Sequence, residues 1–444
     1  MDQRMVISDG VIWYALNEGA WILVSPNRSL KEKCLLIGKE EKAVLDKLLR
    51  PQGGGKGCLG RDQMEIARRW LKPEFQIIEE VKDHPPDNLP NQLALSSFQE
   101  YVSARSMEDQ HDLCHYYGSE IVDPGNQFEE VEMTVSHLYR DPHPALDNMS
   151  YGARFARIIM DEDRLGEGMK VLEVGGGTGI FGREFLREVK RSAPEVYGTM
   201  QYTFFDISPV LLKSQGENNR EHGGRVLFRM GNIRKRQGLD TSYDLVIANE
   251  MIADLPVVKM ARDELDQDGT ASEGWTIGKR LGLDFSDAPP LFIVNLGALE
   301  FIAHLAGLLN PGGRGYIVEY GSTWAYPKAY QVVNHREHSI HFGHLLKAAR
   351  ELGLGARLVD LPSFLKLRGD LVVLEGRCHR SLLDHLLPFL GIEMPSSRVY
   401  TREMLMEKIP HILPKIENLD FVRLETQDGI VYPKGFYVLI LEKR

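Results

Sequence analysis

The sequence predicts an α/β protein built on a mostly parallel, doubly wound, Rossmann-like sheet. Three observations predict it: short apolar runs alternate with helix-length segments from Lys170 onward; a glycine-rich turn, Gly175 to Gly179, follows the first run directly; and acidic or amide side chains stand at the ends of several runs.

In chain order the apolar runs are 170–174, 202–205, 225–229, 243–248 and 315–320. Each has the length of a strand, and the intervals hold enough residues for a crossover helix, which is what parallel pairing requires. A last run, 435–442, lies where an edge or antiparallel strand joins such a sheet. Ahead of the first run, Tyr151 to Met160 has apolar residues at helical spacing, and Ile180 to Val189 reads as the helix after the glycine turn. Near the start, 11–14 and 20–24 alternate as strands do, while 40–49 and 64–71 show helical spacing. The expected division is a small α/β module over 1–83, of winged-helix or peptide-binding kind or else an oligomerisation or packing domain, a helical linker or lid over 84–165, and a core over 166–444 with substrate-side insertions. Pro- and Gly-rich punctuation at 51–57 and 84–90 supports the first boundary.

At 444 residues the chain exceeds what a single core supports. Its net charge of −10 weighs against a surface dedicated to nucleic-acid phosphates, so no nucleic-acid partner is expected. Cys34, Cys58, Cys114 and Cys378 are too scattered for a zinc site, and no metal is expected. No leader-like N-terminus and no apolar stretch of membrane-spanning length is present, so the expectation is a cytoplasmic protein without a membrane partner.

Gly175, Gly177 and Gly179 sit between a strand and a helix, where glycines let the backbone turn sharply and approach a ligand while the helix start offers unpaired N–H groups. The turn also satisfies the GxGxxG of a dinucleotide site. Three neighbours favour S-adenosylmethionine: Glu173, inside the strand, within reach of the loop amides or a methionine ammonium; Asp206, ending the second strand, where an acid accepts hydrogen bonds from ribose hydroxyls; and Asn249-Glu250 after the fourth. Asn232, after the third strand, is a candidate adenine contact. Each has a plainer reading: Asp206 as a helix cap beside Ser208-Pro209, Asn232 as a turn residue.

With these residues in place the chain resembles the MidA-like methyltransferases over about 151–444, a family that includes a mitochondrial complex I assembly factor methylating an arginine of a partner subunit. The resemblance rests on Tyr151-Gly152, the 173–179 block, 208–215 from Ser208 to Gln215, 248–257 from Ala248 to Val257, Glu319-Tyr320-Gly321, Ser339 to Phe342 with Leu345, Ala348 and Ala349, and 387–392. It implies a class I methyltransferase fold, adenosylmethionine as cofactor and a protein or peptide substrate, with arginine as the methylated residue. Two departures stand out: the family's order of Asp then Ala is exchanged here as Ala253-Asp254, and its Asp-Tyr-Gly appears as Glu319-Tyr320-Gly321.

Methyl transfer from a sulfonium is an in-line displacement in which positioning dominates. A guanidinium acceptor needs a carboxylate to hold its fork and take its proton. Glu250 is the first catalytic candidate, with Asn249 beside it; Asp254 and Glu319 follow. The alternatives are a small-molecule methyltransferase and a catalytically silent adenosylmethionine-binding assembly factor. His335, His338, His341 and His344 recur every third residue and read as substrate or structural contacts across a loop-to-helix transition; Trp324 and Tyr326 read as pocket walls or core packing.

Overall fold

The computed structural model describes residues 5–7, 9–17, 20–26, 34–49, 67, 78–80, 133–162, 164–235, 239, 242–262, 273–332, 335–427 and 429–444. The chain forms two compact units, one of Ala94–Arg368 with Asp428–Arg444 and one of Met1–Leu93 with Gly369–Gln427.

The larger unit carries the expected sheet. Its main strands are β1 (Lys170–Val174), β2 (Gln201–Asp206), β3 (Val226–Met230), β4 (Tyr243–Asn249), β5 (Leu309–Ser322), β6 (Leu354–Asp360) and β7 (Phe436–Lys443), in the order β3-β2-β1-β4-β5-β7-β6. The first five pair in parallel; β7 runs antiparallel to both β5 and β6. Strand order reverses at β1 and β4, so the carboxyl ends of these two strands flank the crevice where open sheets bind ligands. The apolar runs of β1, β2 and β4 are buried on both faces, as parallel strands covered by helices must be. β7 lies inside the sheet, not at its edge: the edge belongs to β6, whose residues are mostly half-buried and carry the weaker alternation of a strand covered on one side.

The helices that frame the crevice are α1 (Tyr151–Asp161), α2 (Ile180–Ser192), α3 (Pro209–Asn218), α4 (Leu296–Leu308) and α5 (Phe342–Glu351). Ser150 caps α1 and Ser208, followed by Pro209, caps α3, each side chain accepting from the third residue beyond it. α1 lies on α2 with no room to spare: a β-carbon at Gly152 would meet the carbonyl of Phe181. Phe155, fully buried, packs edge-on to Phe181 and Tyr316 and tilts against Phe364, which fixes α1 over the sheet.

The smaller unit departs from the expected division. Residues 369–427, expected within the core domain, share a unit with the N-terminal segment. The strand Ile416–Glu417 adds to the meander of Ile12–Asn17, Ala20–Val24 and Cys34–Gly38 by pairing with Trp13 and Tyr14, and Ile12, Ile22 and Val24 share an apolar cluster with Leu382, Leu386 and Leu405. The N-terminal module is thus completed by a distant stretch of chain. The helix Lys39–Leu49 follows the meander as expected; of the expected helix at 64–71, only Ala67 falls among the described residues. Among the described residues no helix is long and apolar enough to cross a membrane.

Candidate active site at the sheet's carboxyl edge

The glycine turn joins β1 to α2 with positive φ at Gly175 (67°), Gly177 (52°) and Gly179 (81°), the left-handed region that side chains disfavour. Space enforces the same choice. A β-carbon at Gly175 would collide with Met251; at Gly176 it would lie 2.9 Å from Glu173 Oε1; at Gly179, 2.8 Å from the Cα of Gln215. Gly179 caps α2 without any side-chain hydrogen bond, which leaves that helix start for a ligand.

Glu173 is buried beneath the turn. Its Oε2 accepts the Tyr202 hydroxyl at 2.8 Å, and both oxygens border the Cα positions of Gly176 and Gly182. Burial pushes its carboxyl up to about 8, opposed by the Tyr202 bond and reinforced by the charge of Asp206. The structure therefore places Glu173 as a prop under the loop.

Asp206 ends β2. Its Oδ1 accepts Ser208 N and its Oδ2 accepts Gln215 Nε2, each at 2.9 Å. Burial lifts its carboxyl to about 6 against these bonds. Asp206 therefore does cap the turn into α3, yet with Ser208, Gln215 and the Ile207 backbone as donors one of its four acceptor positions stays open for a ribose hydroxyl. Asn232 lies after β3, where Gly231 N donates to the Asp206 carbonyl; the Asn232 Oδ1 accepts Arg234 N at 3.0 Å, the turn geometry of the plainer reading.

At the end of β4, Asn249 and Glu250 sit in a linked set. The Tyr151 hydroxyl donates to Asn249 Oδ1 at 2.7 Å, and Asn249 Nδ2 donates to Glu250 Oε1 at 3.1 Å. Glu250 Oε2 accepts Val135 N at 3.0 Å, and Oε1 accepts Ser136 N at 3.4 Å. Glu250 holds a φ of 52°, rare for a side chain of its kind and typical of residues whose position is set by a site. Burial raises its carboxyl to about 7, with the hydrogen bonds opposing and Glu337 adding to the rise. Glu319, on β5, is buried and held well above the usual carboxylate range, chiefly by burial, with Glu337 and Glu250 contributing; its oxygens accept Tyr320 N at 2.9 Å and Ala253 N at 3.2 Å. Asp254 closes the short turn Ile252–Asp254, half-buried.

The structure thus gathers Glu250, Asn249 and Glu319 with Tyr151 and Glu337. Tyr151 entered the sequence reading only through its place in a family block, and Glu337 was missed: it lies on the strand His335–His338, within the stretch read as leading into a helix. That stretch has no single histidine face. His338 ends a strand, His341 caps α5 and accepts His344 N at 3.2 Å, and the rings of His341 and His344 stack at 3.7 Å. Tyr326 packs against both rings and donates to Asp287, while Trp324 is 79% exposed; neither lines the carboxylate cluster. Among the described residues no group of three or more His, Cys, Asp or Glu is arranged to hold a metal ion.

The residues at the turn fit an adenosylmethionine cofactor: the glycines admit no side chain, the helix start is uncapped, and Thr178 Oγ1 is buried without a hydrogen-bond partner among the described residues. The fold and this site together define a class I methyltransferase domain. Residues 152–346 match the family described as "Putative S-adenosyl-L-methionine-dependent methyltransferase". This match agrees with the resemblance read from the sequence, and the cofactor it indicates is S-adenosylmethionine.

Among curated proteins the chain is 31% identical over 128 residues to the highly reducing polyketide synthase ctvA of Aspergillus terreus, covering 28% of this chain and 5% of that one. It is 27% identical over 173 residues to the ribosomal protein L11 methyltransferase of Dictyoglomus thermophilum, covering 38% and 52%. The chain thus spans a small fraction of the polyketide synthases and about half of the latter. Among solved structures, a "likely methyl transferase" from Burkholderia thailandensis bound to S-adenosyl-homocysteine aligns with 14% identity over 81% of this chain and 95% of that one, at a TM-score of 0.39.

Proposed function

We propose that the protein methylates a protein or peptide at arginine, with Glu250 as the carboxylate that holds and deprotonates the acceptor. The observation that carries this reading is the pair Glu250 and Glu319 beside Tyr151, whose carboxyls are both raised by burial and by the nearby charge of Glu337. Like charges gathered in a buried site are destabilised, and a bound cation relieves all of them at once. A guanidinium is the side chain that combines a permanent charge with a fork of N–H donors.

Bound adenosylmethionine supplies an electrophilic methyl group. The chain's own residues do the rest. Tyr151, kept neutral by burial, holds Asn249; Asn249 holds Glu250 Oε1; and Glu250, near 7, ionises close to neutral pH and accepts the proton that the acceptor nitrogen loses as its bond to carbon forms. Three of the four acceptor positions on Glu250 are filled by Val135, Ser136 and Asn249, which leaves one, on Oε2, for substrate.

Labelled adenosylmethionine incubated with the protein and a host lysate should mark a discrete polypeptide, and acid hydrolysis should return methylarginine. Label confined to small molecules would overturn the protein substrate. Adenosylhomocysteine binding with no labelled acceptor would indicate the silent factor. Glu250→Gln should abolish labelling, by about a hundredfold or more as general bases contribute, while adenosylhomocysteine still binds. Undiminished labelling would remove Glu250 from the chemistry.

A further inference from the structure

The carbonyls of the glycine turn are taken, one after another, by side-chain amides from a single helix face. Gln215 Nε2 donates to Gly177 O at 2.9 Å, Asn218 Nδ2 to Thr178 O at 2.8 Å, and Asn219 Nδ2 to Gly179 O at 3.0 Å. Residues 215, 218 and 219 stand at i, i+3 and i+4 of α3 and its cap, neighbours on one face. Gln215 and Asn219 are fully buried, and Asn218 half-buried. The second Nε2 proton of Gln215 goes to Asp206 Oδ2.

A trans peptide plane points its C=O and its N–H in opposite directions. Fixing the carbonyls of Gly177, Thr178 and Gly179 toward α3 therefore turns the N–H groups of Thr178, Gly179 and Ile180 away from it. The N–H of Gly179 closes the turn onto Gly176 O at 2.8 Å. Those of Thr178 and Ile180 face outward at the uncapped start of α2. Without the amides, a loop with positive φ at three glycines has many alternatives, since glycine visits both halves of φ space.

We propose that Gln215, Asn218 and Asn219 are positioning residues for the cofactor: they hold the turn with its N–H groups outward, and Gln215 ties the turn to Asp206 so that the two ends of the cofactor site are set as one unit. The proposal rests on the adenosylmethionine assignment and not on the identity of the methyl acceptor. The amide type matters because two donor protons on one nitrogen allow Gln215 to serve Gly177 O and Asp206 together. A hydroxyl or a carboxylate at 215 supplies one proton or none.

The test is calorimetric titration with adenosylhomocysteine, beside thermal unfolding of the ligand-free protein. Asn218→Leu removes the bond to Thr178 O at a half-buried position where α3 still folds. It should weaken adenosylhomocysteine binding about tenfold, as expected for loss of one pre-organising hydrogen bond, with melting close to wild type. Gln215→Met keeps the volume and removes both donors. It should weaken binding further and shift its pH profile. The carboxylate of Asp206 faces Ser208 N, Ile207 N, Gln215 and the buried carboxyl of Glu173. Losing the Gln215 donor raises the pH at which Asp206 takes up a proton, so binding should fail at higher pH on acidification than in the wild type. A purely structural role would move the melting curve and leave that midpoint in place.

Wild-type affinity in Asn218→Leu overturns the proposal. So does an unmoved midpoint in folded Gln215→Met; if that variant does not fold, Asn218→Leu decides alone. A wild-type protein that binds no adenosylhomocysteine overturns the cofactor assignment and this proposal with it, whereas binding without any labelled acceptor overturns only the proposed function.

Discussion

Replacing Glu173 by glutamine separates a prop from a ligand. Glu173 is 1% exposed, and its carboxyl is pushed from 4.5 up to about 8, first by burial. In the folded protein the group therefore keeps its proton over an interval in which the unfolded chain has released it. A carboxyl raised in this way contributes stability that is fully present below pH 4.5 and is lost as pH rises to about 8. That interval, at 1.36 kcal/mol for each pH unit, amounts to roughly 5 kcal/mol. Glutamine has nearly the shape of the neutral acid and no proton to lose. Urea unfolding of wild type and Glu173→Gln at pH 5 and pH 8.5 should show the variant gaining several kcal/mol on the wild type between the two conditions, on the scale of that interval. Its carbonyl oxygen still accepts the Tyr202 hydroxyl. Because both carboxylate oxygens lie under Gly176 and Gly182, adenosylhomocysteine should bind the variant at pH 6 within about threefold of wild type, well under one hydrogen bond's worth. Unfolding curves that keep a constant separation across this range would refute the buried neutral carboxyl, and a large loss of affinity would return Glu173 to the ligand side of the loop.

Two further outcomes follow from the same geometry. Tyr151→Phe removes the donor that fixes Asn249 Oδ1, so the amide is free to turn its oxygen toward Glu250; kcat should fall about tenfold with adenosylhomocysteine affinity unchanged, read by steady-state kinetics and calorimetry, and an unchanged kcat would sever this chain of bonds from catalysis. His344 is pushed down to about 3 by burial and by the His341 ring stacked on it. A base lowered in this way stabilises the fold above pH 6.5 and loses that contribution as pH falls toward 3, so wild type should lose on the order of 3 kcal/mol more than His344→Phe between pH 7 and pH 4 in urea unfolding; parallel curves would contradict a buried neutral ring.

The sheet was legible because its strands are nearly continuous apolar runs, and such runs of strand length between helices leave few alternatives. β6 was not, since Leu354–Asp360 places polar and apolar side chains in the mixture an edge strand shares with many loops. The joining of 369–427 to the N-terminal segment was hidden for a different reason: Glu417 pairs with Trp13 and Ile416 with Tyr14 across some four hundred residues, and no local periodicity records a pairing of that span. The site divides in the same way. Asp206, Asn249 and Glu250 end strands, and a strand end next to a glycine turn is a position that sequence alone marks. Gln215 entered only through its family block and Glu337 stands where nothing local marks it; the approach of α3 to the glycine turn and of the strand His335–His338 to the turn Ile252–Asp254 brings them to the site.

The exchanged order Ala253-Asp254 takes on a physical meaning in this setting. The Ala253 N–H donates to Glu319 Oε2, and its side chain is buried. Glu319 is already held well above the usual carboxylate range, first by burial and then by the charges of Glu337 and Glu250. An aspartate at 253 would add another buried carboxyl beside it, and neighbouring carboxyls in a low-dielectric site share protons rather than all ionise. The acid of the Tyr-Gly block is here Glu319, whose Oε2 accepts the Ala253 N–H at 3.2 Å. Asp254 keeps a carboxylate on the same turn, and Glu319 reaches that turn from β5 through the Ala253 N–H.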